Sequence, residues 1–272
     1  MSASQSDSLA TPERAAELRE NLLEVQQRVQ QAAPSGRTPT LIAVSKYKPA
    51  SDIQALYEAG QREFGENYAQ ELEDKAAVLP ADIRWHFIGT LQSNKAKGLA
   101  SIRNLTCIQT LTSMKAATAL NRAVPADRTT PINVLLQVNT SGEDAKSGIE
   151  PLTPESASDA ELVKLARHVI SECPRLRLLG LMTIGSLSES LSSAEKPNED
   201  FERLKQTRDL LQDTLGKDSS LTRKWGEDGR LVLSMGMSKD FEAAIRAGSD
   251  YVRVGTSIFG SRPPKGSATA SG

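Results

Sequence analysis

The sequence predicts an α/β fold, a single (β/α)8 TIM barrel with an extra N-terminal helix. Eight short apolar segments alternate with stretches of helical periodicity over most of the 272 residues. A unit of capped helix, glycine stop, tight turn and buried strand occurs over 51–65 and again over 238–255. Helix-to-strand units with short connections are what parallel neighbours in a sheet require. No G-x-G-x-x-G follows the first strand, whereas glycine and small polar residues gather after the last two, where barrels often bind phosphate. A closed ring is therefore favoured over an open doubly wound sheet.

Residues 1–11 are too poor in apolar side chains to pack and read as a disordered tail. Thr11-Pro12-Glu13 then starts a helix, with proline at its first position, and Leu18, Leu22, Val25 and Val29 recur at helical spacing. Pro34 and Pro39 stop it. The strands are predicted at 41–44, 62–64, 85–88, 106–109, 132–138, 177–182, 231–233 and 251–254. Polar insertions at 141–158 and 186–199 follow strands five and six, on the face where barrels carry their sites, and a third at 216–229 precedes strand seven. The barrel domain is assigned to 12–262, and 263–272, built of Pro, Gly, Ser, Ala, Thr and Lys, reads as a second disordered tail.

Thirty-three basic against 34 acidic side chains give a net charge of -1, which makes no electrostatic case for nucleic acid or an anionic membrane as partner. No apolar run approaches the roughly 18 residues a spanning helix needs. Cys107 and Cys173 lie far apart, and His86 and His168 are the only histidines, so neither a disulfide framework nor a metal site is expected. A reducing, cytoplasmic compartment fits. The first ten residues hold no Lys or Arg, unlike a presequence.

The first strand runs into Ser45-Lys46-Tyr47-Lys48-Pro49, which places two lysines, two apart, on one side at the expected barrel mouth. A neighbouring cation and partial burial lower an ammonium pKa and expose an amine that can form a Schiff base with an aldehyde. A merely solvated strand-end lysine is the alternative. Ser234-Met235-Gly236-Met237-Ser238 ends strand seven with Ser238 as N-cap of the next helix, a natural phosphate seat. Val252-Arg253-Val254-Gly255-Thr256 adds a close-approach glycine and a hydroxyl beside it, although turn formation alone explains such residues too. His86 reads as a hydrogen-bonded structural histidine, His168 as a surface one, and Lys95 and Lys97 as a solvated face. The tyrosines read as core edges, and Lys146 as a second cation over the mouth.

The motifs A-V-S-K-Y-K-P from Ala43, F-G-E-N-Y from Phe64, W-H-F-I-G-T-L-Q-S-N-K from Trp85, L-Q-V-N-T-S-G-E from Leu136, K-S-G from Lys146, G-L-M-T-I from Gly180, S-M-G-M-S-K-D from Ser234 and V-R-V-G-T-S-I-F-G from Val252 run in order across the predicted barrel. In these the chain resembles the YggS/PROSC family of pyridoxal phosphate (PLP) homeostasis proteins, which are similar to the barrel domain of alanine racemase. The resemblance implies a fold type III barrel that binds pyridoxal 5'-phosphate, with Lys46 as the lysine that holds the C4 aldehyde as a Schiff base. It implies Arg253 facing the pyridine nitrogen, Ser238, Gly255, Thr256 and Ser234 at the phosphate, and Asn67 near the ring. A permanently charged guanidinium beside that nitrogen disfavours its protonation and makes the ring a poorer electron sink.

Alanine racemase, on the same resemblance, needs a tyrosine from an additional C-terminal domain, and few residues follow strand eight here. The expected function is that of a cytoplasmic, monomeric carrier of the cofactor in vitamin B6 homeostasis, without efficient amino-acid turnover. PLP-accepting enzymes are its expected partners. The alternatives are a low-activity PLP-dependent amino-acid racemase and a cofactor-free Schiff-base aldolase, for which Glu66 is the one carboxylate placed near Lys46.

Overall fold

The computed structural model describes residues 9–143, 146–156, 159–192 and 197–261. Thr11 Oγ1 accepts the backbone N–H of Arg14 at 3.2 Å and so caps helix α1 (Pro12–Ala32). The stripe Leu18, Leu22, Val25 and Val29 is buried, as its spacing predicts. Of the expected tails, 1–8 and 263–272 lie outside the described residues, while Ala10 packs against the core.

Eight parallel strands follow: β1 (Thr40–Val44), β2 (Glu63–Glu66), β3 (Arg84–Phe87), β4 (Leu105–Leu111), β5 (Ile132–Gln137), β6 (Leu176–Met182), β7 (Val232–Ser234) and β8 (Tyr251–Val254). They pair in chain order into a closed barrel, sealed where β1 meets β8 with Ile42 opposite Arg253. The (β/α)8 expectation therefore holds. Strand seven begins one residue later than its apolar run suggests, because the Leu231 N–H is taken by Gln212 Oε1 at 2.6 Å and pairing starts at Val232 opposite Gly180. A Cβ on Gly180 would stand 2.0 Å from Val232 O, so the two strands approach as closely as they do only around a glycine.

The crossovers carry α2 (Ala50–Glu58), α3 (Ala69–Val78), α4 (Ala96–Ser101), α5 (Met114–Ala123), α6 (Glu161–Glu172), α8 (Glu199–Gly216) and α9 (Phe241–Arg246). Two short helices add to the expected pattern. One, α7 (Leu187–Ser192), lies within the insertion after strand six, and the other, α10 (Thr256–Phe259), follows β8 directly. The main core lies between strands and helices, with Trp85 and Phe64 fully buried in it. Inside the ring a small apolar layer of Cys107, Leu135, Leu179, Met182 and Val232 shares the space with the buried polar side chains His86, Gln109, Ser234 and Arg253. Among the described residues no helix is long and apolar enough to cross a membrane, and no group of three His, Cys, Asp or Glu could hold a metal ion.

Candidate functional site

A cavity of about 660 Å³ opens at the C-terminal ends of the strands, the functional face of this fold. Lys46, Asn67, Ser238, Arg253, Gly255 and Thr256 all line it, although they come from both ends of the chain. The insertions after strands five and six reach it through Lys146, Ser186 and Ser190.

Lys46 stands two residues past the end of β1, and the backbone on either side of it is clamped. Ser45 donates its N–H to Gly65 O at 3.0 Å and its Oγ–H to Glu66 Oε1 at 2.7 Å. Lys75 Nζ donates to Ser45 O at 2.8 Å, to Glu66 Oε1 at 2.6 Å and to Glu71 Oε1 at 2.7 Å. Glu71 Oε1 also accepts the Tyr47 N–H at 2.6 Å. Tyr47 sits at φ 62, so strand alternation ends there and the paired lysines diverge. Lys48 Nζ turns away to Phe259 O at 3.0 Å and Ser261 O at 3.2 Å and is absent from the cavity wall, which corrects the expectation of two lysines on one side. Burial and the charge of Arg14 hold its pKa below the usual lysine value.

Arg253, only 4% exposed, presents a guanidinium anchored from below. Nη1 donates to Ser234 Oγ at 2.6 Å and Nη2 to Thr183 O at 2.7 Å. Burial pushes its pKa down to about 10, against the opposing pull of Asp240, and it stays charged at neutral pH. Ser234 is fully buried beneath Arg253 and off the cavity wall, so it meets the site through that arginine. Ser238 does not cap the next helix. Asp240 stands at that N-cap, and Ser238 Oγ instead accepts the Gly255 N–H at 3.2 Å, tying together the turns after β7 and β8. Gly255 passes so near β1 that a Cβ there would lie 3.2 Å from Val44 O.

Asn67 is held by an even closer approach, since a Cβ on Gly89 would fall 1.7 Å from Asn67 O. The Asn67 Oδ1 is buried without a hydrogen-bond partner, an acceptor that a bound ligand's donor or a water could satisfy. Among the described residues, four cations, Lys46, Lys146, Lys239 and Arg253, line the cavity against one acid, Asp240. Both Asp240 oxygens are engaged, one by the Met237 N–H at 2.7 Å and the other by the Ser190 hydroxyl. The excess positive charge, the turns tied at Ser238 and Gly255, and the unmatched amide oxygen fit an anionic, polar aromatic ligand such as a pyridoxal phosphate.

Lys239 and Asp240 escaped the sequence reasoning although they end the S-M-G-M-S-K-D motif; a cation and acid beside the phosphate turn were the available signal. Ser190 carried none, because its insertion reads as loop. His86 is buried and hydrogen-bonded, to Glu63 Oε2 at 2.8 Å and to Gln109 at 3.0 Å. His168 is half-buried rather than on the surface, meeting Thr118 Oγ1 at 2.8 Å. Tyr47 and Tyr68 are about half exposed and pair through their hydroxyls, not core edges. Lys95 and Lys97 stand away from the cavity. A larger hollow, about 730 Å³, lies at the opposite end of the barrel, but its Arg37, Arg62 and Arg84 are already paired with Asp250, Asp82 and Glu63.

Residues 14–263 match the family model of the alanine racemase N-terminal domain. The pyridoxal phosphate homeostasis protein of Schizosaccharomyces pombe is 45% identical over 239 residues, covering 88% of this chain and 90% of that protein. The protein of the same name from Escherichia coli is 41% identical over 250 residues, 89% of this chain and 95% of its own. Among solved structures, PipY of Synechococcus elongatus with PLP bound superposes with a TM-score of 0.67 at 30% identity, over 89% of this chain and 100% of that one. With its closed parallel ring and the strand-end residues gathered at one mouth, the chain belongs to the alanine racemase N-terminal domain family, and within it to the pyridoxal phosphate homeostasis proteins.

Proposed function

We propose that this protein binds pyridoxal 5'-phosphate in the cavity at the barrel mouth, holds it covalently through the Lys46 amine as a Schiff base, and serves intracellular PLP homeostasis without efficient turnover of amino acids. The observation that carries the reading is the convergence of Lys46, Asn67, Ser238, Arg253, Gly255 and Thr256 on one cation-rich cavity. Bound there, the cofactor supplies an aldehyde that condenses with amines and a ring that withdraws electrons. Lys46 provides the amine, Ser238, Gly255 and Thr256 the seat for the phosphate, Arg253 a fixed cation toward the ring nitrogen, and Asn67 an acceptor at the ring.

The absence of efficient turnover is supported by what surrounds Lys46. Among the described residues lining the cavity none is Tyr, His or Cys, and the one acid, Asp240, is tied by two hydrogen bonds. Apart from Arg253, the other titratable proton donors described on that wall are the ammoniums of Lys146, committed to Glu143 and Gly185 O, and of Lys239. The aldolase alternative loses its carboxylate, since Glu66 is fully buried, bonded to Ser45 and Lys75, and off the cavity wall. The protein acts as a cytoplasmic monomer that exchanges the cofactor with PLP-accepting enzymes.

Borohydride reduction of protein incubated with PLP, followed by peptide mass spectrometry, tests this directly. A pyridoxyl group on Lys46, with loss of visible absorbance in Lys46→Ala, is expected. A colourless protein, or an adduct on another residue, overturns it. Proton exchange at Cα of a panel of amino acids should run no faster than with free cofactor, and much faster exchange would assign an enzyme instead.

A further inference from the structure

A line of five side chains crosses the inside of the barrel from the cavity floor toward its other end, one each from β8, β7, β4, β3 and β2. Arg253 Nη1 meets Ser234 Oγ at 2.6 Å, Ser234 Oγ meets Gln109 Oε1 at 2.7 Å, Gln109 Nε2 meets His86 Nδ1 at 3.0 Å, and His86 Nε2 meets Glu63 Oε2 at 2.8 Å. The first four are at least 96% buried, which shields the links from competition by water.

The direction of every bond in this line follows from its ends. An arginine only donates, so Ser234 Oγ accepts from Arg253 and has its own proton to place. Among the described residues Gln109 is the one acceptor in reach of that hydroxyl. The amide oxygen of Gln109 therefore faces Ser234 and its NH2 faces His86. His86 Nδ1 must then accept, which leaves the imidazole neutral with its proton on Nε2, donated to the Glu63 carboxylate. The other Glu63 oxygen pairs with the Arg84 guanidinium, which keeps that end of the line anionic.

We propose that Ser234, Gln109, His86 and Glu63 form a one-directional hydrogen-bond chain that fixes the Arg253 guanidinium at the cavity floor, with Gln109 and His86 as positioning residues for the ligand. A cation at the donor end and an anion at the acceptor end align all the intervening dipoles, so each bond polarises the next. Turning Arg253 out of place would break a chain anchored on the far side of the barrel. The consequence for the ligand rests on the PLP reading above; the chain itself does not.

The chain holds only two histidines, so long-range proton–nitrogen correlation spectra of the imidazoles resolve His86 in the intact, ligand-free protein. A neutral ring with its proton on Nε2 is expected at neutral pH, and a ring protonated on Nδ1, or on both nitrogens, overturns the proposal. In Gln109→Glu a carboxylate accepts from both neighbours, so His86 should become doubly protonated; an unchanged ring refutes the Gln109–His86 link. Ser234→Ala removes the acceptor under Arg253 and should weaken PLP binding about tenfold, with a displaced absorbance maximum. Unchanged affinity and spectrum overturn the positioning role, and Gln109→Met serves the same test if Ser234→Ala does not fold. A wild-type protein that binds no PLP refutes the proposed function and, with no ligand to position, the positioning role as well; the histidine spectra still decide the chain.

Discussion

Lys75 Nζ reaches the carbonyl of Ser45 at 2.8 Å, so a buried ammonium on α3 fixes the residue that precedes Lys46. The same ammonium neutralises Glu66, whose second oxygen has no hydrogen-bond partner and whose pKa is raised by burial. Removing one member of such a pair leaves an uncompensated buried charge, whereas removing both does not. Lys75→Met should therefore destabilise the fold by about 3–5 kcal/mol in urea unfolding. Adding Glu66→Gln to it should recover part of that loss.

Gly89 and Gly216 make a contrasting pair. A Cβ on Gly89 would collide with the Asn67 backbone at 1.7 Å, whereas nothing lies within 4 Å of one on Gly216, the last residue of α8. Gly89→Ala should cost about 1–3 kcal/mol and weaken PLP binding by displacing Asn67. Gly216→Ala should leave binding unchanged and stabilise the protein by up to about 1 kcal/mol. Thermal melts and cofactor titrations of the two variants check both.

Neither thiol should react in the folded protein. Burial raises the Cys107 pKa far above its ordinary value, and that of Cys173 is pushed up to about 11, also chiefly by burial. The thiolate is the reactive form. A chromogenic disulfide reagent at neutral pH should find almost no reactive thiol in native protein and two after unfolding.

Acid stability should depend on Glu63. Its folded pKa is depressed, so the unfolded chain binds more protons in the acid range and stability rises with pH there. The contribution is present above the ordinary carboxylate value and is lost as pH falls through the lower folded one. Unfolding free energy measured from neutral pH downward should decline less steeply in Glu63→Gln than in the parent.

The strands were legible because a parallel sheet covered on both faces reads as runs of apolar residues, and 251–254 matches β8 to the residue. The helix at 187–192 was not, because Leu-Ser-Glu-Ser-Leu-Ser has the composition of a loop and acquires its place by contact, with Ser190 bonded to Asp240 fifty residues away. Lys46 and Arg253 were legible from motifs at strand ends. The divergence of Lys48 was not, since it follows from the left-handed backbone of Tyr47, a residue type with no preference for that conformation. Ser238 carried a capping signal that the structure spends on Gly255 N–H, a partner that only the assembled ring supplies.

The seam between β1 and β8 joins the two ends of the sequence, and the pocket straddles it, with Lys46 on one bank and Arg253, Gly255 and Thr256 on the other. A growing polypeptide on the ribosome would thus carry Lys46 as soon as the first strand of the barrel is made, yet lack Arg253, Gly255 and Thr256 until the eighth emerges. The proposed capture of the vitamer would then be a late event, and protein holding it would be protein whose circle of strands is complete.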